Sequence, residues 1–219
     1  MVETTLEKPK HGHHDAHYDP KAEALSIDNQ KFAMWLYLAS EVVIFTVFIG
    51  TYVLYRINHP ESVHEIHEDL GIFLVSANTF ILLTSSWAMV MGLRQIQLGN
   101  KQGLIRWLSL TALLGTVFVI GQYYEYYELS KISVVLNNSV TALEGSTTNI
   151  GGFGARFYTP TFFHGVHVFV GVLWCLEVIR RASKDNYSPR NYVGVEVFGL
   201  YWHFVDVVWI ILFALIYLI

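Results

Sequence analysis

Several stretches of this chain carry side chains that bind metals or move protons. The N-terminal HGHHDAH, residues 11–17, has the composition of a loose metal-binding tract, although a solvated histidine run needs no dedicated ligand. His64-Glu65-Ile66-His67-Glu68 looks like a zinc-protease helix, but that chemistry needs histidines at i and i+4 and these stand at i and i+3. An acidic surface loop accounts for it better. The other candidates lie inside apolar sequence: Glu41, Asn78, Gln122, Glu125, His164, His167, His203 and Asp206. His203 and Asp206 stand one helical turn apart within YWHFVDVVW, residues 201–209, in a segment otherwise suited to lipid. A carboxylate and an imidazole at that spacing can hydrogen-bond along one helix face or exchange a proton, and histidines on separate helices can ligate haem.

The elements that position these groups follow from composition. With 53% hydrophobic and 15% aromatic residues in 219, the chain reads as a membrane protein. Almost uncharged runs cover residues 32–55, 70–93, 106–128, 157–180 and 194–219. At ~1.5 Å per residue each can cross a hydrocarbon core of ~30 Å. The expected fold is therefore all-α: an integral membrane bundle of five transmembrane helices over 32–219, preceded by a polar, histidine-containing tail over 1–31. That tail lacks the apolar stretch of a signal peptide, so the first helix is expected to act as its own anchor.

Of the 14 Lys and Arg residues, all but Arg56, Lys131 and Arg156 fall on the side that holds the N-terminus. The excess of basic residues on cytoplasmic loops then places the N-terminus and tail in the cytoplasm and the C-terminus outside. Cys175 is the single cysteine, which excludes an intrachain disulfide, a zinc ribbon and a dithiol site. No phosphate loop, dinucleotide fingerprint or nucleophile elbow is present, and a net charge of −4 gives no reason to expect nucleic acid as a partner.

Counted along their helices, Glu41 and His167 fall near the membrane midplane, with Asn78, His203 and Asp206 within about a turn of the same level. An aspartate at a helix centre costs ~2.5–3.5 kcal/mol on insertion, so these groups must face one another or other polar groups. His203 and Asp206 can pair along one face, and Trp202 and Trp209 flank Asp206 as indole donors. The simplest role is to fix the register of the bundle. Two sharper ones are open: Glu41 as a protonatable group on an ion path, and His167 with His203 as haem ligands.

Five segments together resemble subunit III of the haem-copper respiratory oxidases: WLYLASEVVIF (35–45), NTFILLTSS (78–86), GQYYEYYE (121–128), FFHGVHVFVG (162–171) and GLYWHFVDVVWIILF (199–213). The chain matches the last five of that family's seven helices and is similar to the shorter form common in bacteria, which implies a multi-pass protein of the bacterial plasma membrane. The seven-helix form is a V of two bundles with phospholipid in the cleft, so one arm is expected to come from elsewhere. The resemblance further implies a subunit without a catalytic site, cofactor or metal of its own inside an oxygen-reducing, proton-pumping complex. Its partners would be the catalytic subunit I, which carries haem and copper, other oxidase subunits and membrane lipid. Family members stabilise the catalytic subunit and support its proton uptake. By position, Glu41 corresponds to the family's buried, carbodiimide-reactive glutamate with His167 as partner, Gln122 and Glu125 to its third-helix pair, and Arg181 to a basic residue that holds a phospholipid headgroup. Ser40-Glu41 and Tyr201-Trp202-His203 resemble the cytochrome c branch. The histidine-containing tail and five-helix length resemble the quinol branch, and cytochrome c is the preferred donor.

Overall fold

The computed structural model describes residues 20–60, 71–131 and 152–218. The histidine tract at 11–17, the motif at 64–68 and most of the 129–156 connection lie outside these residues. Five long helices follow in order: α1 (Pro20–Asn58), α2 (Ile72–Gln97), α3 (Lys101–Lys131), α4 (Phe153–Ser183) and α5 (Val193–Phe213). All five are long and apolar enough to cross a membrane. The chain past α5 widens into a π-helical turn, Ala214–Leu218. There Arg56 Nη1 reaches the Leu215 carbonyl at 3.2 Å and the Tyr52 hydroxyl approaches that of Ile216 at 3.5 Å, so carbonyls released from the regular ladder find donors on α1. No strand occurs among the described residues beyond one bridge between Ser188 and Asn191.

Helix α1 starts at Pro20, well ahead of the expected 32. Hydropathy marks what lipid will accept, not where a helix begins. Proline suits a first helical position, and residues 22–25, AEAL, favour helix. The extension is tied down by Lys31, whose ammonium meets the Glu196 carboxylate of α5 at 2.7 Å.

Short connections make α2–α3 and α4–α5 antiparallel neighbours. Between α2 and α3, Gly99 takes φ of +78°, a left-handed conformation that costs glycine little, and the Asn100 N–H bonds back to the Gln95 carbonyl at 2.9 Å. Asn100 then caps α3, its side-chain oxygen accepting from the Gly103 N–H at 2.9 Å. Lys101 links this turn to the next one through Asp185 (2.6 Å) and the Ser183 carbonyl (3.1 Å). Both turns and the start of α1 lie at one end of the bundle, which carries Lys31, Arg94, Lys101, Arg106, Arg180, Arg181, Lys184 and Arg190; this is the basic end.

Helix α5 packs against α1, α2 and α4, and α1 packs against α4 and α5. The core is aromatic, with Trp202, Trp209, Tyr52, Tyr217, Phe118, Phe157 and Phe198 fully buried. Trp202 fits because Gly115 and Gly171 face it: a Cβ at either would fall 2.6 or 2.8 Å from its ring. Small residues at helix crossings are how membrane helices reach close contact without a hydrophobic driving force. The outer surface is apolar, with Phe32, Val43, Phe73, Phe80, Ile120 and Phe162 exposed, as a lipid-facing belt requires.

Candidate functional site

The interior polar groups form small clusters between helix pairs rather than one continuous layer. The first joins α1 to α4. His167 Nδ1 lies 2.8 Å from the Phe163 carbonyl, and its Nε2 lies 3.3 Å from Glu41 Oε2, both residues being buried. A carbonyl only accepts, so Nδ1 carries a hydrogen. Nε2 is then the nitrogen that faces the carboxyl oxygen. The approach is close but not aligned as a hydrogen bond. Tyr37 reaches the same carboxyl from one turn away, and Tyr201, stacked near it, donates to the His167 carbonyl at 2.9 Å. Phe45 and Phe163 close the site around the imidazole.

The second cluster joins α5 to α2. His203 Nδ1 meets Ser86 Oγ at 2.6 Å, and Asp206 lies beside the same hydroxyl with its Oδ1 buried and lacking a hydrogen-bond partner. Ser86 therefore stands between the two residues whose spacing suggested direct pairing. The flanking indoles also turn to α2: Trp202 Nε1 donates to Ser85 Oγ at 3.1 Å and Trp209 Nε1 to Thr79 Oγ1 at 2.9 Å.

The remaining groups hold α2, α3, α4 and α5 together. Asn78 Nδ2 donates to the Phe118 carbonyl at 3.0 Å, with Gly121 leaving room for the amide. Gln122 Nε2 donates to the Thr161 carbonyl at 2.9 Å and the Tyr126 hydroxyl at 3.1 Å. His164, fully buried against the Trp209 ring, bonds through Nε2 to the Val205 carbonyl at 3.0 Å, while its Nδ1 has no hydrogen-bond partner. Glu125 lies buried beside the Tyr217 hydroxyl. Among the described residues no three His, Cys, Asp or Glu side chains converge as a metal site would require.

Arg181 lies at the basic end, where its Nε donates to Glu177 at 2.8 Å while Arg180 grips the same carboxylate with two nitrogens at 2.6 and 2.7 Å. Arg181 lines a polar cavity of about 360 Å³ with Gln30, Asn186, Tyr187 and Asn191. Burial pushes the Tyr187 hydroxyl above its ordinary range, so it is a neutral donor there.

Sequence reasoning placed Glu41 and His167 at one depth and took their partnership from the family resemblance. It missed the α2 hydroxyls of Thr79, Ser85 and Ser86, although these lie inside the NTFILLTSS segment, and it missed Tyr37 and Tyr217.

The family model described as cytochrome c oxidase subunit III matches residues 11–219. The chain is 38% identical over 209 residues to a Synechocystis protein named cytochrome c oxidase subunit 3, covering 95% of this chain and 79% of that one. It is 36% identical over 192 residues to the Thermostichus vulcanus protein of that name (87% and 88%) and 33% identical over 190 to that of Corynebacterium diphtheriae (84% and 85%).

Proposed function

Because this chain belongs to the cytochrome c oxidase subunit III family, we propose that it serves as the non-catalytic subunit III of a proton-pumping aerobic terminal oxidase, stabilising the catalytic subunit and supporting its proton uptake. The shared name of its relatives favours cytochrome c over a quinol as electron donor. The excess of basic residues at the end holding the start of α1 favours a cytoplasmic N-terminus and an outer C-terminus in a bacterial plasma membrane.

The observation that carries the reading is the Glu41–His167 pair: a carboxyl and an imidazole at membrane depth, 3.3 Å apart. Such a pair can accept a proton at membrane depth, since the carboxylate offsets the charge of the imidazolium that forms. Glu41 is the residue expected to react with a hydrophobic carbodiimide. The other interior polar side chains act mainly as links: Asn78, Gln122 and His164 each join two helices, the half-buried His203 does so through Ser86, and Glu125 sits beside Tyr217. Arg181, with the cavity beside it, would hold a phospholipid phosphate at the basic end, the guanidinium supplying two-nitrogen recognition and Tyr187 and Asn186 supplying neighbouring donors.

A pull-down from native membranes through a tag on this chain tests the assignment. Larger partners and a reduced-minus-oxidised haem spectrum that stay behind when this chain is stripped away agree with an accessory subunit. A haem spectrum that leaves with the chain would contradict it.

A further inference from the structure

Helix α1 leans on α4 and α5 but not closely on α2, and a groove of about 290 Å³ opens between α1 and α2 with α5 as its floor. The groove is polar at both ends. Its mouth, at the basic end, holds the Lys31–Glu196 ion pair, both side chains partly exposed. Its inner end is His203, seven residues further along α5 and so about 10 Å deeper. Trp35, Met89 and Leu200 form the walls between.

His203 decides what fills this space. Its Nδ1 is committed to Ser86, and Nε2 has no protein partner among the described residues. An acyl chain in the groove would leave that nitrogen unpaired at membrane depth and would bring methylenes against an ion pair. Water would satisfy the imidazole and solvate Lys31 and Glu196. At about 30 Å³ per molecule the groove has room for several waters, enough to link its two ends.

We propose that the groove is a water inlet through which His203, and through it Ser86 and Asp206, exchanges protons with the basic face of the membrane. The relay balances as follows. An excess proton carried by the water in the groove binds His203 Nε2 and leaves neutral water behind, the Nδ1 proton passes to Ser86 Oγ, and the Ser86 hydroxyl proton passes to the Asp206 carboxylate. One proton enters and one carboxylate is neutralised. The titratable groups facing the path are Lys31 from α1 and Glu196, His203 and Asp206 from α5; α2 contributes the Ser86 hydroxyl. This inference requires the membrane-spanning bundle but not the role proposed for Glu41.

The test uses the assembled complex in native membranes, with Cys175→Ser as background and either His203→Cys or Leu200→Cys added. Leu200→Cys keeps the test available if removing His203 disturbs the bundle. A charged thiosulfonate reagent supplied from the basic face should label both cysteines, and Val90→Trp, which fills the groove from its lipid-facing wall, should abolish that labelling. Reaction only with an apolar thiol reagent would mean an acyl chain fills the groove. Reaction with neither until the subunits are separated would mean a partner helix covers it. Either result overturns the inlet. The relay has its own readout in the infrared band of the Asp206 carboxyl, identified by its loss in Asp206→Asn. That band should shift in D2O in the native chain and lose the shift in Ser86→Ala; a shift that survives Ser86→Ala would overturn the relay.

Discussion

Glu41 and His167 meet across the α1–α4 interface at 3.3 Å, with the far nitrogen of the imidazole anchored to the Phe163 carbonyl at 2.8 Å. That anchor sets which nitrogen carries the fixed hydrogen and turns the other toward the carboxyl. Glu41→Gln replaces the carboxyl by an amide of similar size. It should leave the complex assembled and abolish labelling of this subunit by a hydrophobic carbodiimide. Label persisting in the variant would move the reactive carboxyl elsewhere, with Glu125 and Asp206 as the remaining buried candidates among the described residues.

Trp209 separates two contributions. Trp209→Phe keeps most of the ring but loses the bond to Thr79, and should destabilise the bundle by about 0.5–1.5 kcal/mol in a detergent unfolding titration. Trp209→Ala also empties a fully buried site and should cost about 3–5 kcal/mol. Equal losses would mean that the ring's packing counts for little.

Asp206 and Ser85 should rank against the intuition the sequence invites. A buried aspartate looks structural, but the indole donors on either side of it are taken by Ser85 and Thr79, and its own Oδ1 has no hydrogen-bond partner. Asp206→Asn should therefore cost the bundle less than Ser85→Ala, which strands the Trp202 N–H in the core at about 1–3 kcal/mol. The comparison is a pair of unfolding midpoints under one set of conditions.

Gly171 and Gly115 admit the Trp202 ring between α4 and α3. Gly171→Val places branched atoms where even a Cβ would lie 2.8 Å from the ring, and overpacking of this kind costs at least about 1–3 kcal/mol. We expect reduced incorporation of the subunit, with partial rescue by Trp202→Leu. A variant that incorporates normally would mean that the two helices can separate freely.

Arg181→Ala should lower the phospholipid that copurifies with the complex, while Arg180→Ala, which loses its contact to Glu177 but does not line the cavity, should leave it unchanged. Lipid quantified by mass spectrometry from the two variants reads the difference.

Much of this was legible in the sequence. The five spans follow from runs that lipid accepts, and the depths of Glu41 and His167 could be counted along two antiparallel helices, while their partnership came from the family resemblance. The partners of α5 were not legible. Serine and threonine in membrane helices often bond their own preceding turn, as Thr46, Thr84 and Thr116 do here, so their presence in α2 says nothing about which neighbour they serve. Only the rotation of α2 against α5 brings Thr79, Ser85 and Ser86 to two indoles and an imidazole. The early start of α1 was hidden for a related reason, since residues 20–31 are polar and their helix is secured by a tertiary ion pair between Lys31 and Glu196.

The most direct test of the central claim follows oxygen reduction through many turnovers by the oxidase with this chain, without it, and with Glu41→Gln. An accessory subunit that supports proton uptake predicts that the initial rate survives removal of the chain while activity decays faster during turnover. An initial rate that falls to zero while the other subunits remain assembled would contradict the account.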